Sequence, residues 1–368
     1  MKKILFITAF TPSDVAAAEK NTKYMLNDLS KSFVIDLVYF RYENDVDYHP
    51  ESSNIRILRT YPYSTGRKIM NCLHKPFLHP YFTVRYDKSF LNLLQRHIDS
   101  KAYSAIVFDH SLTFLYARKL KYNGPKLMIC HDVMAQRAER ASNKLFAGFC
   151  LRSEKKMVLL DHANIFTFCK KDKDLLSRYY NVDANVIFDY IDDKIIKVHP
   201  HEILDEYVML ANWKRADNAD GAIWLLNKLG DYLPEKIKIN IIGKDFPMDR
   251  LKLNKKIEVN NCGFVENPYP LISESRAMLS PLLTGVGIKV KVMESLACGT
   301  PVIGTNISFE GFSDKFNSFM EEANSPEEFA NKMLSLNKRL EQRISFRSMF
   351  LNEYQSESIP QWIEKLTK

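Results

Sequence analysis

The sequence has no stretch approaching the ~20 consecutive apolar residues that a membrane-spanning helix needs, so any membrane contact it makes is peripheral. It also lacks paired cysteines. Six cysteines, at 72, 130, 150, 169, 262 and 298, are scattered without a C-x-x-C element. That excludes a zinc ribbon and a disulfide framework and points to a reducing compartment. There is no internal repeat and no low-complexity tract, which excludes solenoids and disordered tails. No nucleic-acid-binding module surrounds the basic residues, and nucleic acid is not expected as a partner. No D-x-D pattern stands out as a metal site, and the adjacent carboxylates Asp192-Asp193 are of the kind that stay solvated in a linker. Neither a metal nor a cofactor is expected.

What is present suffices for two domains. The chain has 368 residues, 46% of them hydrophobic, so each half can bury a core. The formal net charge of +8 favours anionic partners such as a diphosphate, a lipid phosphate or a membrane surface. Met1-Lys2-Lys3, the run ILFITAF and Ala16-Ala17-Ala18 have the outline of a short secretion signal. The run is of minimal length and is followed by Pro12, Asp14 and Glu19, so a first β-strand leading into a loop explains it better. A cytoplasmic location is expected, with the inner membrane face as the place for peripheral contact.

Apolar runs alternate with helical patterns along the chain. Strands are predicted at 3–9, 33–40, 55–59, 105–109, 126–130, 163–168 and 185–188, then at 207–211, 237–243, 257–259, 277–281 and 302–303. Alternation of this kind predicts an α/β protein with two doubly wound parallel sheets. The first domain spans 1–196, a connection runs through 197–206, and the second domain spans 205–345.

The most informative stretch is Pro281–Thr305, PLLTGVGIKVKVMESLACGTPVIGT. A loop with Gly285 and Gly287 leads into a helical pattern in which Ile288, Val292 and Leu296 recur every four residues. Gly299 and Pro301 stop the helix, and Val302-Ile303 begins a buried strand. A glycine loop feeding a helix N-terminus presents free backbone N–H groups and a positive dipole end, which suits a phosphate. Lys289, in the first turn, adds a full charge. Helical side chains lean toward the N-terminus, so the Glu294 carboxylate is placed to reach the hydroxyls of a ribose on that phosphate.

GVGIKVKVMESLACGTPVIGT resembles the donor-nucleotide signature of the retaining GT-B glycosyltransferases of glycosyltransferase family four (glycosyl transferases group 1). The resemblance implies the GT-B fold, two Rossmann-like domains facing a cleft, with a terminal segment, 346–368, whose helix crosses back to the first domain. It implies that Glu294 binds the donor ribose and that Gly285, Gly287 and Ile288 line the donor loop. Many members carry a second glutamate eight positions earlier. Val286 stands there instead, as in a subgroup with G-x-G-I-K-x-K-x-x-E.

Further correspondences are looser. Asn212-Trp213-Lys214-Arg215 resembles an element whose basic residue faces the donor diphosphate. The register leaves Lys214 or Arg215, and a planar guanidinium suits two phosphates better. Cys262-Gly263-Phe264-Val265 matches a G-F-V turn that reads the nucleobase, although a phenylalanine there fits a core equally well. His131-Asp132 ends a parallel strand, where side chains face the ligand crevice. By resemblance His131 lies beside the donor sugar; the alternative is a residue that caps the next helix with Asp132. Arg137 and Arg140 share a helix side, either for acceptor phosphate or as a solvated face.

The stretch 61–85 interleaves Arg67, Lys68, Lys75 and Arg85 with Tyr61, Tyr63, Phe77, Tyr81 and Phe82. It suits either a surface for anionic headgroups or a sugar-lipid acceptor, or a helix and loop packed over the sheet edge. With these residues, the resemblance implies a retaining glycosyltransferase. It would use a UDP- or GDP-linked sugar and a glycan or lipid-linked acceptor of bacterial surface polysaccharide synthesis, with Arg215 and Lys289 neutralising the departing diphosphate. Two alternatives remain: a non-catalytic GT-B subunit that supports a partner transferase, and a GT-B nucleotide-sugar epimerase.

Overall fold

Short runs of β-branched and aliphatic residues form two all-parallel sheets in the computed structural model, which describes every residue except 141, 142, 161, 189, 286 and 355–357. Val286, Asp189 and the expected helix end at Asp161 therefore lie outside the described residues. The chain divides into two compact units, Met1–Tyr190 with Glu357–Lys368, and Ile191–Ser356.

The first unit contains β1 (Lys2–Thr8), β2 (Phe33–Arg41), β3 (Ile55–Pro62), β4 (Ala105–Asp109), β5 (Lys126–Cys130), β6 (Ala163–Thr167) and β7 (Asn185–Val186). They lie in the order β3-β2-β1-β4-β5-β6-β7. Alternation along β1 sends Ile4 and Phe6 to one face and Leu5 and Ile7 to the other, and each pair joins a separate buried cluster. Because both faces are covered, the strands are continuously apolar rather than half polar. The helix Ile359–Leu366 adds Ile359 and Ile363 to the Ile4/Phe6 side. The preceding helix, Leu340–Tyr354, stays with the second unit, where Arg343 donates to the carbonyls of Ser273, Ser275 and Arg276.

The second unit contains β8 (Leu204–Leu210), β9 (Ile237–Ile242), β10 (Ile257–Gly263), β11 (Ser275–Ser280), β12 (Val302–Gly304) and β13 (Met320–Glu322). Their order is β10-β9-β8-β11-β12-β13. Leu225, Leu226 and Leu229 of the helix Ala216–Leu229 pack on Met209, Ile239, Ile241 and Leu279.

In each sheet the order runs outward one way from the first strand and then resumes on its other side. The reversal falls between β1 and β4, and again between β8 and β11. At such a point the connections leave in opposite directions, which opens a crevice beyond the carboxyl ends of the strands. Among the described residues no helix is long and apolar enough to cross a membrane.

Candidate functional site

Two loops flank the reversal point of the second sheet. The one after β8 is anchored by Trp213, which is buried, donates from Nε1 to the Ile242 carbonyl at 2.9 Å, and meets the Phe246 ring at 4.8 Å. This anchor sets Arg215 at the N-cap of Ala216–Leu229. Arg215 donates from Nε and Nη2 to the Asp217 carboxylate at 3.1 and 2.7 Å. Its neighbour Lys214 pairs with Asp245 at 3.4 Å.

The loop after β11 runs through Gly285, Gly287 and Ile288 into the helix Val290–Ala297. Gly287 has φ of 68°, a left-handed conformation that a side chain would strain. The turn brings the Lys289 ammonium onto the Gly287 carbonyl at 2.5 Å, with Lys289 only 9% exposed. Lys291, two residues on, donates to Asn218 Oδ1 at 2.9 Å, and Asn218 Nδ2 donates to the Asn212 carbonyl at 3.0 Å. Lys291 thus ties the two loops together. Burial pushes its ammonium down to about 7; the Asp217 carboxylate opposes that shift, and the charges of Lys289 and Arg215 add to it. The charges of Lys289, Lys291 and Arg215 thus act on one another beside Asp217 near a helix start, an arrangement that suits an anion.

The Glu294 carboxylate is buried on the same helix, and its Oε1 accepts from the Tyr269 hydroxyl at 2.9 Å. That hydroxyl also lies 2.9 Å from Asp192 Oδ2. A phenol has one proton to donate, so the two carboxylates share one donor. Burial, followed by the two negative charges, raises the Tyr269 hydroxyl far above its ordinary range and keeps it protonated. The expectation for Asp192 is corrected here. It is buried and caps the helix Asp193–Ile196 by accepting the Lys194 N–H at 2.9 Å.

Phe264 follows β10 and is 66% exposed, with the Lys244 ammonium 4.7 Å from its ring centroid, so it is not a core residue. Val265 and Ile288 are partly buried. The 264–269 segment connects to Glu294 through Tyr269.

In the first unit, Thr8 and Asp109 end β1 and β4 in register across the reversal point. The buried Asp109 carboxylate accepts from the hydroxyls of Thr8 (2.8 Å) and Thr22 (2.6 Å) on Oδ2, and its Oδ1 lies 2.6 Å from His131 Nε2. The His131 ring also meets His110 at 5.1 Å and Phe168 at 5.0 Å. Burial, reinforced by His131, holds His110 well below the usual imidazole range. The capping alternative for His131 and Asp132 does not hold. The first N–H groups of Met134–Arg140, those of Met134 and Ala135, are taken by Glu154 at 2.7 and 2.8 Å. Asp132 instead pairs with the exposed Arg137 at 3.2 Å.

Other expectations also change. After β1 the sequence predicts a loop from Thr11 to Lys20; the helix Ala17–Leu29 begins within it, so Ala17-Ala18 form a first helical turn. Two literal D-x-D triplets exist, at 45–47 and 172–174. In the first, Asp45 accepts from the Thr11 hydroxyl (2.8 Å) and the Tyr42 N–H (2.9 Å), and Asp47 pairs with Arg41. Among the described residues, His201, Glu202 and Glu274 bring three metal-ligand atoms within 4.8 Å of one another. Lys194 and Lys197 line the same hollow and oppose a cation there. Within 61–85, Tyr61, Tyr63 and Phe82 are buried, and several of the basic residues lie over aromatic rings.

Sequence reasoning missed Lys291, Tyr269, Asp192 as a buried group, and Asp109. The signal for Asp109 was present: Asp109-His110 and His131-Asp132 both end strands that neighbour each other in a doubly wound sheet.

Residues 206–339 match the family model Glycosyl transferases group 1. No curated protein matches by sequence. Solved structures match along the whole chain. Sucrose-phosphate synthase from Thermosynechococcus elongatus is 13% identical, with 99% of this chain and 96% of that chain covered and a TM-score of 0.67. HepE from Anabaena, in complex with UDP, is 12% identical, with 100% of both chains covered and a TM-score of 0.68. A trehalose-6-phosphate protein from E. coli, bound with UDP-2-fluoro glucose, is 12% identical, with 100% and 99% covered and a TM-score of 0.65. These likenesses establish the GT-B fold. With a Glycosyl transferases group 1 segment over residues 206–339 on that fold, the chain is a glycosyltransferase.

Proposed function

We propose that the second unit binds a UDP- or GDP-linked sugar and that the protein transfers this sugar, with retention of anomeric configuration, to a glycan or lipid-linked acceptor. The observation that carries the proposal is the meeting of Arg215, Lys289 and Lys291 beside the glycine loop, with buried Glu294 further along the same helix. In this assignment the three cations and the loop N–H groups hold the diphosphate, Glu294 takes the ribose hydroxyls, and Phe264 with Val265 face the base. The HepE and E. coli structures, which hold UDP or a UDP-sugar analogue, support a nucleotide donor. Retention rests on the resemblance to the G-x-G-I-K-x-K-x-x-E subgroup.

In the transfer, the bond between the anomeric carbon and the diphosphate oxygen breaks and its electron pair stays with the diphosphate. An acceptor hydroxyl oxygen bonds to the anomeric carbon, and its proton passes to the departing diphosphate oxygen. The cations stabilise the charge that grows on the leaving group. By the resemblance His131 also takes part, its ring nitrogen held by Asp109.

Thermal-shift titration with UDP, GDP and ADP tests the donor site, with one clear stabiliser expected. Glu294→Ala should weaken that nucleotide by roughly 1–3 kcal/mol, the scale of a lost charge-assisted bond. If no nucleotide moves the midpoint at millimolar concentration, the assignment fails. The anomeric configuration of the product, read by NMR, tests retention.

A further inference from the structure

The helix Thr65–Leu73 is built inside out. Its buried residue is polar: Asn71, whose Nδ2 donates to the Val84 carbonyl at 2.9 Å. Ile69, Met70 and Leu73 are 58%, 53% and 67% exposed, and Phe77, just beyond the helix, is 85% exposed. A helix on a globular protein normally turns its apolar stripe to the core; this one turns it to the outside.

The face continues onto a second element. His79 donates its N–H to Ser153 Oγ at 2.9 Å, and its ring lies 4.9 Å from Phe146. The start of the helix Lys144–Val158 therefore stands beside the 77–79 segment, and there Leu145 and Phe146 are 89% and 51% exposed. An exposed apolar cluster drawn from two separated parts of the chain is not the incidental single exposure common on protein surfaces.

The surrounding charge is of one sign. Residues 52–86 contain six Arg and Lys, of which only Arg85 is buried, donating to the Ala9 carbonyl, and no Asp or Glu. Residues 143–156 contain Lys144, Arg152, Lys155 and Lys156 against a single acid, Glu154, which is buried and engaged with the Met134 and Ala135 N–H groups and the Tyr180 hydroxyl. An interface with another protein, or with a second copy, carries a rim of mixed polar groups. Exposed apolar side chains on two segments that carry cations and no exposed carboxylate match hydrocarbon beneath negative headgroups.

We propose that Ile69, Met70, Leu73, Phe77, Leu145 and Phe146 form a docking face for an anionic lipid bilayer, with the flanking lysines and arginines contacting the headgroups. This revises the expectation for 61–85. The tyrosines of that stretch belong to the interior, and the membrane-facing groups are the aliphatic residues between them together with a partner segment some 70 residues away.

Co-sedimentation with extruded vesicles tests this without donor or acceptor, so its outcome is separate from that of the nucleotide assay. The wild-type chain should bind vesicles of phosphatidylcholine with phosphatidylglycerol, bind phosphatidylcholine alone at least tenfold more weakly, and release at high salt. Ile69→Asp with Leu73→Asp should abolish binding while leaving the thermal midpoint in place, because both positions are exposed. Lys144→Glu with Arg152→Glu should weaken binding by roughly fivefold per cation removed, and further through the added repulsion. Equal binding to neutral vesicles, no binding to either, or wild-type binding by the aspartate variant would overturn the proposal. So would light scattering showing a dimer that the aspartate variant dissolves, because a second copy would then cover the face.

Discussion

Replacing Lys291 by methionine keeps the length of the side chain and removes its charge, and the consequence depends on pH. In the free protein, burial and the neighbouring charges of Lys289 and Arg215 bring the Lys291 ammonium down to about 7. A bound diphosphate would raise it again. The sign follows. Above pH 7 the free site has lost the proton that the bound site holds, so binding takes up a proton and affinity falls as pH rises through 7. For a free-state value of 7 and a bound-state value well above 9, uptake is about 0.1 proton at pH 6, about 0.5 at pH 7 and about 0.9 at pH 8. The dissociation constant then weakens roughly fivefold from pH 7 to 8, and tenfold from pH 6 to 8. The assay is calorimetric titration in buffers of different ionisation enthalpy. The ligand should be the nucleotide sugar rather than the free diphosphate, whose terminal phosphate loses its second proton near pH 6 and would confound the count. Lys291→Arg should bind with a flat profile over this range, and Lys291→Met should bind more weakly without proton uptake. Wild-type protein that takes up no proton at pH 8, or a methionine variant that still does, would falsify the assignment of Lys291 to the diphosphate. In the unliganded protein the same group makes stability rise with pH between 7 and its ordinary value of 10.5, where the unfolded chain binds a proton that the folded chain does not.

Two further predictions concern the frame that holds these sites. Glu154 is buried, and burial lifts its carboxyl to about 7 against three donors that favour the charged form. Folded protein then binds a proton that unfolded protein has lost between pH 4.5 and 7, so this residue's contribution should fall by about 3 kcal/mol as pH rises through that window and level off above it. Urea unfolding of wild type and Glu154→Gln at pH 5 and pH 8 isolates the slope, and parallel curves would refute it. At Gly221 an added Cβ would stand 1.9 Å from the Pro281 carbonyl oxygen, so the helix behind Arg215 or the loop leading to Gly285 must move. Gly221→Ala should cost about 1–3 kcal/mol in urea unfolding and weaken nucleotide binding as well. Gly148→Ala, with nothing within 4 Å of its added carbon, should be neutral or slightly stabilising.

The fold was legible because its signals are local. Runs such as Ala105–Asp109, Lys126–Cys130 and Val302–Gly304 are largely apolar on both faces and end at or just before a polar or glycine residue, which marks a buried parallel strand without any knowledge of its neighbours. Met320–Glu322 carries no such pattern and is a strand only because β12 pairs with it. The site divides along the same line. The glycine loop, Lys289 and Glu294 occupy one continuous motif, whereas Tyr269 reaches Glu294 across 25 residues and Asp192 reaches Tyr269 across 77. Lys291 was hidden for a different reason. In a K-V-K-V run at a helix start its ammonium is indistinguishable from a solvated surface charge until Asn218 and the bulk of the neighbouring loop are in place. The choice left open in 61–85 had a local remedy: Tyr61 and Tyr63 are two residues apart at the end of β3, the spacing that puts side chains on one face of a strand. Applied first, that rule sends both rings inward, and the aliphatic residues of the following helix are left as the side chains with no core to enter. Composition can therefore show that a segment mixes cations with large apolar groups, but only the period of the backbone decides which of those groups the surface keeps.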